Sequence, residues 1–317
     1  MGGPVVCREI PEPACPADGV LVSVRATGVC RSDWHAWRGH DPVALPHIPG
    51  HEFAGVVAEV GANVTGCRVG DRVTAPFVQG CGACSYCASG NAQVCPNQSQ
   101  PGFTFPGSFA DMVVVHNAAL NSVALPGSLD FVTAAALGCR FATAFHALRR
   151  QAGLQAGEWL AVFGCGGVGL SAILIAKAMG ARVVAVDRSE QALARAAGLG
   201  ADEILRDGTA EQVRDLTEGG AQVSLDAVGS PATAAAAVRS LRRRGRHVQV
   251  GLMLQDNATA PLPWDVVVAW ELQVSGSHGM AAAAYPEMLS LITSGRLDPK
   301  SLVGTVIGFE DLGEALM

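Results

Sequence analysis

Four cysteines stand close together in the first third of the chain, and their spacing suits a metal ion. They follow the pattern Cys81-x2-Cys84-x2-Cys87-x7-Cys95. Four thiolates this close together fit the closed tetrahedral coordination of a structural zinc ion. A chance cluster, a disulfide set or an iron–sulfur site would use the same residues, but nothing else in the sequence indicates electron transfer. We therefore predict one structural zinc ion at these cysteines.

A glycine-rich turn forms a second candidate site. The segment Gly164-Cys165-Gly166-Gly167-Val168-Gly169 follows an apolar stretch, residues 160–163, and opens a segment of helical period. It matches G-x-G-x-x-G, in which the glycines let the backbone turn tightly and approach a pyrophosphate. The same pattern in another α/β fold would only serve a sharp turn. Here we predict a dinucleotide site.

The next strand ends in Asp187, 21 residues after Gly166. A carboxylate at this place hydrogen-bonds the adenosine ribose hydroxyls and would repel a 2′-phosphate, which favours NAD over NADP. The neighbouring Arg188 could accept that phosphate, so NADP stays an alternative. Val228, and Val250 with Gly251, stand at the ends of later strands. We predict that their backbone lines the nicotinamide half of the site.

Three more residues of metal-binding type lie far apart in the sequence. Cys30 stands in GVCRSDWH, His51 in GHE and Cys139 in LGC. Taken singly, each has an ordinary explanation: a small buried cysteine, a core histidine and a cysteine at a helix start. Two nearby aromatic residues, Trp34 and Phe77, are candidates for an apolar pocket wall or for plain core.

The elements that must position these residues fall into two groups. Residues 19–75 alternate valine-rich stretches with glycine and proline, which predicts short antiparallel strands. From residue 133 onward a helical segment (134–148) precedes alternating apolar strands and helices, which predicts a parallel sheet. The expected strands are residues 160–163, 183–186, 223–227 and 247–250, and the expected helices include 170–179 and 234–237. We interpret the basic run 242–246 as the cationic end of a helix before a strand.

Between the two groups, residues 80–106 show almost no apolar periodicity and are too long for an ordinary loop. Zinc bound by the four cysteines would supply the order that a hydrophobic core does not.

The bulk properties exclude several classes of protein. The chain has 317 residues, 49% of them hydrophobic, and a net charge of -6, which offers no basic surface for nucleic acid. No apolar run reaches the roughly 18 residues that a membrane span needs, and the N-terminus shows no signal pattern. Length alone favours two domains. We predict a cytoplasmic enzyme with a small-molecule substrate and neither a membrane nor a nucleic-acid partner.

The order of these segments resembles the medium-chain zinc alcohol dehydrogenases. That family has G-V-C-x-[ST]-D-x-H, then G-H-E, then a four-cysteine lobe, then a cysteine near the join to the cofactor domain, and all four occur here in that order. The resemblance implies a GroES-like β-rich catalytic domain at 1–138 and 279–317, with a zinc lobe at 80–106. It implies a doubly wound Rossmann domain of α/β class at 139–278 that binds NAD.

The resemblance also assigns roles to single residues. Cys30, His51 and Cys139 would bind a catalytic zinc ion, which makes two zinc ions per subunit with the structural one. Asp33 would orient His51, and Glu52 would stand behind the metal and reach it during ligand exchange. The remaining roles concern the proton and the cofactor: Ser32 would contact the substrate oxygen, His35 would release the proton, and Arg31 would contact the pyrophosphate.

The implied reaction is hydride transfer between a zinc-bound alcohol and NAD, most specifically that of a simple alcohol dehydrogenase (EC 1.1.1.1). A polyol, sugar or threonine dehydrogenase is the first alternative, and Cys139 argues against it because those relatives typically lack a cysteine there. A non-catalytic zinc protein that senses NAD or redox state is the second, although a sensor has no need of Ser32 and His35.

Two further expectations follow from the resemblance. Residues 266–274 resemble a strand through which subunits of the family pair, which indicates a homodimer or homotetramer. Members of the family usually have additional segments before residue 5 and after residue 316, so we expect that both ends are truncated.

Overall fold

A computed structural model describes residues 2–316 and divides the chain into two compact units. The first unit comprises Met1–Ala142, Gly279–Gly295 and Val303–Met317, and the second comprises Thr143–His278 and Arg296–Leu302. The chain forms strands β1 to β11 in this order: Val20–Gly28, Glu52–Val60, Arg72–Thr74, Met112–Val115, Val123–Ala124, Trp159–Phe163, Arg182–Asp187, Glu203–Arg206, Ala221–Asp226, Leu241–Gln249 and Gln273–Gly276.

The α-helices, α1 to α12 in chain order, are mostly short. They are Arg31–Arg38, Ser85–Ala88, Ala118–Asn121, Phe131–Ala135, Ala142–His146, Gly167–Ala178, Glu190–Gly198, Ala210–Leu216, Pro231–Arg239, Trp264–Ala269, Tyr285–Thr293 and Leu312–Leu316.

The first unit is built on a sheet with the strand order β4-β1-β2-β3-β5, and all of its pairings are antiparallel. Valines on the inner face of β1 and β2 pack with Phe53, Val73 and Val113 into one buried cluster. In both strands a continuous run of buried positions stands at the beginning, and buried positions do not simply alternate with exposed ones. Strand β1 ends at Gly28, just before Cys30, and strand β2 begins at Glu52, directly after His51.

The second unit is built on a parallel sheet with the strand order β11-β10-β9-β6-β7-β8. The chain runs outward from β6 to β8, returns to the other side of β6 and runs outward again to β11, which is the doubly wound topology. Strand β6 at the centre is buried at every position. The predicted combination of a β-rich unit and a doubly wound α/β unit is thereby confirmed. The four predicted strands lie within the observed ones, except that 223–227 and 247–250 each extend one residue too far.

The helical segment predicted at 134–148 is helical but not uniform. Two π-helical turns, Leu137–Phe141 and Ala147–Gln151, interrupt it on either side of α5. A π turn inserts one extra residue, which rotates the side chains that follow it, and such turns are frequent at functional sites. The first of them carries Cys139.

Two predictions about elements are wrong. The basic run 242–246 belongs to β10 and not to a helix end, since α9 already ends at Arg239. The register of β10 against β9 shifts between Leu241 and Arg246, and Arg244 has a φ of 60°, so the run forms an exposed irregularity in the strand. Residues 266–274 are not one strand, because α10 occupies residues 264–269 and β11 begins only at Gln273.

Candidate active site and metal centres

Cys30, His51 and Cys139 come together in the first unit. One ligand atom from each lies within 4.8 Å of the others, although the residues come from three different elements. Cys30 precedes α1, His51 precedes β2, and Cys139 lies in the π turn. Two of the three are buried and Cys139 is half-buried. Two thiols and an imidazole around one point form a donor set suited to a zinc ion with an open position.

The ring of His51 is held in the orientation that metal binding needs. Its Nδ1 lies 2.9 Å from Asp33 Oδ1, while its Nε2 is buried and has no hydrogen-bond partner within residues 2–316. A buried nitrogen without a partner is costly, and a metal ion beside the two thiols would satisfy it. Burial opposes the charged form, but the Asp33 carboxylate raises the pKa of His51 well above its usual value. Zinc binds the neutral ring and would displace this proton. The two thiols and the unpartnered Nε2 are the donors that fit zinc.

Asp33 organises the site through three hydrogen bonds. Besides the His51 ring, its carboxylate accepts from the backbone N–H of Cys30 at 2.9 Å and from that of Gly50 at 3.2 Å. Asp33 itself is 1% exposed. One carboxylate thus joins the start of α1 to the segment that carries His51.

The two thiols influence each other strongly. A hydrogen bond from Cys139 lowers the pKa of Cys30 well below its usual value against the effect of burial, and His51 and Arg140 act in the same direction. Thiolate is the form that binds metal. The environment of Cys30 therefore favours its metal-binding state.

Glu52 is fully buried behind the cluster and is held by Arg140, which the sequence analysis did not single out. Its Oε1 accepts from the backbone N–H and the Nε of Arg140 at 3.1 and 3.0 Å, and its Oε2 accepts from a guanidinium nitrogen at 2.5 Å. Burial raises the pKa of Glu52, which Arg140 partly offsets. Arg140, which directly follows Cys139 in the sequence, is thus the hydrogen-bonding partner of Glu52.

The residues predicted for proton transfer lie on α1. The Oγ of Ser32 is 3.9 Å from Cys30 Sγ, which places this hydroxyl beside the cluster. His35 Nδ1 lies 3.1 Å from the Nδ1 of His40, a residue that the sequence analysis missed. The guanidinium of Arg31 lies 3.6 Å from the centre of the Trp34 ring, a cation–π contact.

Aromatic rings border His51. The centre of the Phe77 ring lies 6.0 Å from that of His51, and Phe103 is closer at 5.3 Å. Phe77 is therefore beside the cluster, and Phe103 is a candidate wall residue that sequence reasoning missed because it stands in the glycine- and proline-rich stretch. Trp34 instead makes edge contacts with His35 and His40.

The four cysteines of the lobe also come together. One sulfur atom from each of Cys81, Cys84, Cys87 and Cys95 lies within 4.8 Å of the others. The sulfur of Cys84 is 3.5 Å from that of Cys87 and 3.6 Å from that of Cys95. A tetrahedral site with Zn–S bonds of about 2.3 Å requires sulfurs about 3.8 Å apart. This spacing fits a closed zinc site.

Backbone hydrogen bonds hold the lobe around its sulfurs. The amide of Cys81 donates to Cys95 Sγ at 3.4 Å and that of Cys87 to Cys84 Sγ at 3.5 Å. A backbone hydrogen bond from Ala83 and the Cys95 thiol lower the pKa of Cys81 to about 6. The lobe contains only the short α2 and a 3-10 turn at Ala92–Val94, so little secondary structure supports it.

In the second unit, the glycine-rich turn connects β6 to α6. Gly164 has a φ of 94°, and a Cβ there would lie 2.5 Å from Val228 Cγ2. A Cβ on Gly169 would overlap the carbonyl oxygen of Gly164. Gly166 and Gly167 are exposed at the start of α6. Gly166 occupies the N-cap position and has no side chain that could bind the first amides of the helix. The amides at this helix start are thus available to an anion, with Val168 following in the first turn.

Asp187 ends β7 beside this turn. Its Oδ2 accepts from the Cys165 amide at 2.6 Å and its Oδ1 from the Ser189 amide at 2.8 Å. Each carboxylate oxygen keeps a second lone pair that can accept from a ribose hydroxyl. Arg188 is exposed.

Asp226 is a buried residue at the end of β9. Its Oδ1 accepts from the amide of Val228 at 2.7 Å, and its carbonyl oxygen accepts from the amides of Val250 and Gly251 at 3.0 and 2.8 Å. The N–H groups of these three residues are therefore engaged, and the carbonyl of Gly251 accepts from Gln249 Nε2 at 2.8 Å. The carbonyls and side chains of Val228 and Val250 are the groups that a ligand could contact. Gln249 also donates to Asp226, at 3.0 Å.

Two family models match the chain. "Alcohol dehydrogenase GroES-like domain" matches residues 16–126, and "Zinc-binding dehydrogenase" matches residues 167–294. Within the part of the chain that the structure describes, no helix is long and apolar enough to cross a membrane.

Several known proteins are similar over nearly the whole chain. An alcohol dehydrogenase of Geobacillus stearothermophilus is 36% identical over 300 residues, 93% of this chain and 87% of that protein. A sorbitol dehydrogenase of Halalkalibacterium halodurans is 34% identical over 95% of this chain and 88% of its own length. Among solved structures, alcohol dehydrogenase TADH from Thermus sp. ATN1 superposes with a TM-score of 0.91 at 32% identity, covering 98% of this chain and 91% of that one.

Proposed function

Because the chain belongs to the zinc-binding alcohol dehydrogenases, we propose that it oxidises simple alcohols with NAD at the cluster of Cys30, His51 and Cys139. Oxidoreductase activity of the alcohol-dehydrogenase type, with a nicotinamide cofactor, follows from the family itself. The proposal adds the residues that perform it, the form of the cofactor, the number of zinc ions and the class of substrate.

The observation that carries the proposal is the unpartnered Nε2 of His51, buried between two thiols while Asp33 occupies the other ring nitrogen. Bound zinc polarises the oxygen of an alcohol and makes its proton more acidic. Cys30, His51 and Cys139 would hold that ion, and the lobe cysteines would hold a second, structural one, giving two zinc ions per chain.

Ser32 is the proposed first acceptor of the alcohol proton, because its hydroxyl lies beside the cluster and can both accept and donate. His35 is the proposed base through which the proton leaves. For Glu52 to reach the metal, it would first have to release the three hydrogen bonds from Arg140. We therefore propose that Arg140 keeps Glu52 behind the metal in the resting state.

The proposed cofactor is NAD, on the strength of Asp187. Its two oxygens are fixed by amides from both sides of the β7 end, and a fixed carboxylate there favours ribose hydroxyls over a phosphate. Arg31 is proposed to bind the pyrophosphate, which would require its guanidinium to leave the Trp34 ring. The nicotinamide ring, once bound, accepts the hydride.

A simple alcohol is the proposed substrate class. Phe77 and Phe103 place apolar rings beside His51, and such a surface suits an alkyl or aryl group better than a polyol. Because one of the similar proteins is a sorbitol dehydrogenase, polyols belong in any substrate panel.

The test is NADH formation with primary, secondary, aromatic and polyhydric alcohols, together with zinc content. Cys30→Ala is expected to lose one zinc ion per chain and all turnover, whereas Cys7→Ala, at an exposed cysteine outside both clusters, should behave as the wild type. Full turnover by Cys30→Ala would refute the zinc assignment. Faster turnover of sorbitol than of every simple alcohol would refute the substrate class.

A further inference from the structure

Two histidine rings face each other at the end of α1. The helix ends at Arg38, and Gly39, with a φ of 81°, turns the chain back. The amide of His40 then donates to the carbonyl oxygen of His35 at 2.9 Å. This turn brings the two Nδ1 atoms to 3.1 Å. Trp34 contacts both rings edge-on, with centroid distances of 5.1 and 5.3 Å. The pair is therefore fixed by a backbone turn and by a shared aromatic neighbour.

The facing nitrogens restrict the protonation of the pair. A neutral imidazole has one nitrogen that donates and one that accepts, while an imidazolium donates from both. A hydrogen bond between the two Nδ1 atoms requires a proton on one of them and a lone pair on the other. Two imidazolium rings would set N–H against N–H, so the pair holds at most one extra proton without moving apart.

Burial and the neighbouring positive charges lower the pKa of His35 and favour its neutral form. Burial lowers the pKa of its imidazole, and the guanidinium of Arg31 and the ring of His40 lower it further. Asp41 and Cys30 act in the opposite direction but less strongly. A base that must pick up a proton and release it again needs to be neutral at rest.

We propose that His40 is a positioning residue for His35, an inference that rests on the proton-transfer role proposed above for His35. The Nδ1–H of His35 donates to Nδ1 of His40, which leaves His35 Nε2 with the lone pair that takes up the substrate proton. The resulting imidazolium keeps its hydrogen bond to neutral His40. It returns to the neutral form by giving one proton from Nε2 to water, so one proton enters and one leaves.

The opposite arrangement, in which His40 donates, does not support the same cycle. His35 would then carry its proton on Nε2 and could take up another only at the Nδ1 that faces His40. The two N–H groups would then oppose each other, and one ring would have to turn away. Only the first arrangement accommodates the charged form without movement.

The test is nitrogen NMR of the zinc-loaded protein with ¹⁵N-labelled histidine, which reports the tautomer of each ring across pH 5 to 9. Spectra of His35→Gln and His40→Asn assign the two rings. In the wild type we expect His35 in the Nδ1–H form. Its tautomer should persist in His40→Asn, whose amide oxygen can accept the same hydrogen bond, and should shift to Nε2–H in His40→Leu.

Titration provides the second readout. In the wild type the second protonation of the pair should occur at lower pH than the titration of His40 in His35→Gln. A wild-type His35 in the Nε2–H form, or two independent titrations, would overturn the proposal. Neither result depends on turnover.

Kinetics separates this inference from the proposed function. His40→Leu should lower kcat and shift its pH profile with little change in the KM for alcohol, and His40→Asn should restore both. If His35→Gln keeps full kcat, the proton-transfer role of His35 is wrong while the tautomer result still stands. A His40→Leu variant with the kcat and pH profile of the wild type would refute the positioning role.

Discussion

At the scale of single residues, the candidate catalytic site depends on a carboxylate, Asp33, that holds the His51 ring by its Nδ1. Asp33 binds the His51 ring and two backbone amides, so it fixes one ligand and the start of the helix that follows another. Only the resemblance to the family could predict this role, because nothing in the sequence itself shows that Asp33 and His51 lie close together.

The first prediction concerns this carboxylate. Asp33→Asn keeps the shape of the side chain but removes the charge, and its amide cannot accept from both His51 and Cys30. Loss of such a supporting residue weakens metal binding about 10- to 100-fold. Competition with a chelator would measure this, with Asp71→Asn as the control, since Asp71 caps a distant loop. Unchanged zinc affinity in Asp33→Asn would contradict our account of His51.

A second residue-scale prediction concerns cofactor choice. Asp187→Asn should lower kcat/KM with NAD by about tenfold or more, because hydrogen bonds to a charged group contribute about 1.5–3 kcal/mol. The ratio of NAD to NADP activity should fall with it. Asp207→Asn, at an exposed carboxylate after the next strand, is the matched control. An unchanged ratio would show that Asp187 does not select the cofactor.

At the scale of elements, the sequence predicted regular strands well and irregular segments poorly. Alternating valines and glycine-punctuated apolar runs follow directly from strand geometry, so β1, β2 and β6 could be predicted. The π turn at Leu137–Phe141 could not, because alanine-rich sequence has the same helical period on both sides of an inserted residue. That insertion still decides where Cys139 and Arg140 lie.

The arginine run at 242–246 illustrates a different limit. Charged residues before an apolar stretch suit a helix end, and the dipole argument favours that reading. In the structure these residues form the exposed, irregular beginning of β10, where the side chains of Arg242 to Arg244 reach solvent. Solvent exposure at one end of a strand leaves no periodic signal in the sequence.

The zinc lobe gives a prediction at this scale. Because little secondary structure supports the lobe, Cys95→Ser should release one zinc ion per chain and open residues 80–106 to proteolysis, while Cys67→Ser outside the cluster should not. Zinc binds thiolates, so acidification should release the ion as protons compete for the sulfurs. Zinc content and limited proteolysis measured over a range of pH would test both statements. A protease-resistant, zinc-depleted lobe would contradict them.

Asp202 links three elements of the second unit and predicts a pH effect. Its Oδ2 accepts from Lys177 Nζ on α6 and from the Val183 amide of β7, both at 2.7 Å, just before β8. Burial opposes ionisation, but these hydrogen bonds lower the pKa of Asp202. A carboxyl with a lowered pKa stabilises the fold above its unfolded pKa, and this contribution is lost as pH falls through the lowered value.

Asp202→Asn should therefore lower the free energy of unfolding at pH 7 by about 1 kcal/mol, a value kept small because the pair is partly exposed. The difference from the wild type should shrink as pH is lowered below about 4. Urea unfolding at several pH values measures this, with Asp215→Asn on α8 as the control. A difference that grows on acidification would show that the sign is wrong.

At the scale of the whole molecule, the two-unit architecture and the family could be predicted from the order of the motifs. A surface for self-association could not, because the segment expected to form one strand is divided between α10 and β11. In the structure this region exposes Trp264 and Val268, the latter 77% exposed. These two exposed apolar side chains lie one helical turn apart on α10, which makes this face a candidate contact surface.

We therefore predict a homodimer or homotetramer that uses this face. Val268→Asp places a charge among the apolar side chains and should lower the mass measured by size-exclusion chromatography with light scattering. Val69→Asp, at a valine of the first unit that is 67% exposed, should leave the mass unchanged. A wild-type protein that is monomeric at micromolar concentration would contradict the prediction, and so would equal effects of the two substitutions.

The central claim is that zinc binds between Cys30, His51 and Cys139, and anomalous diffraction at the zinc edge tests it most directly. Crystals of the zinc-loaded protein should show two anomalous peaks per chain. One should lie about 2.3 Å from the sulfurs of Cys30 and Cys139 and about 2.0 Å from His51 Nε2, and the other among the four lobe sulfurs. A peak in the lobe with none at His51 would contradict the account.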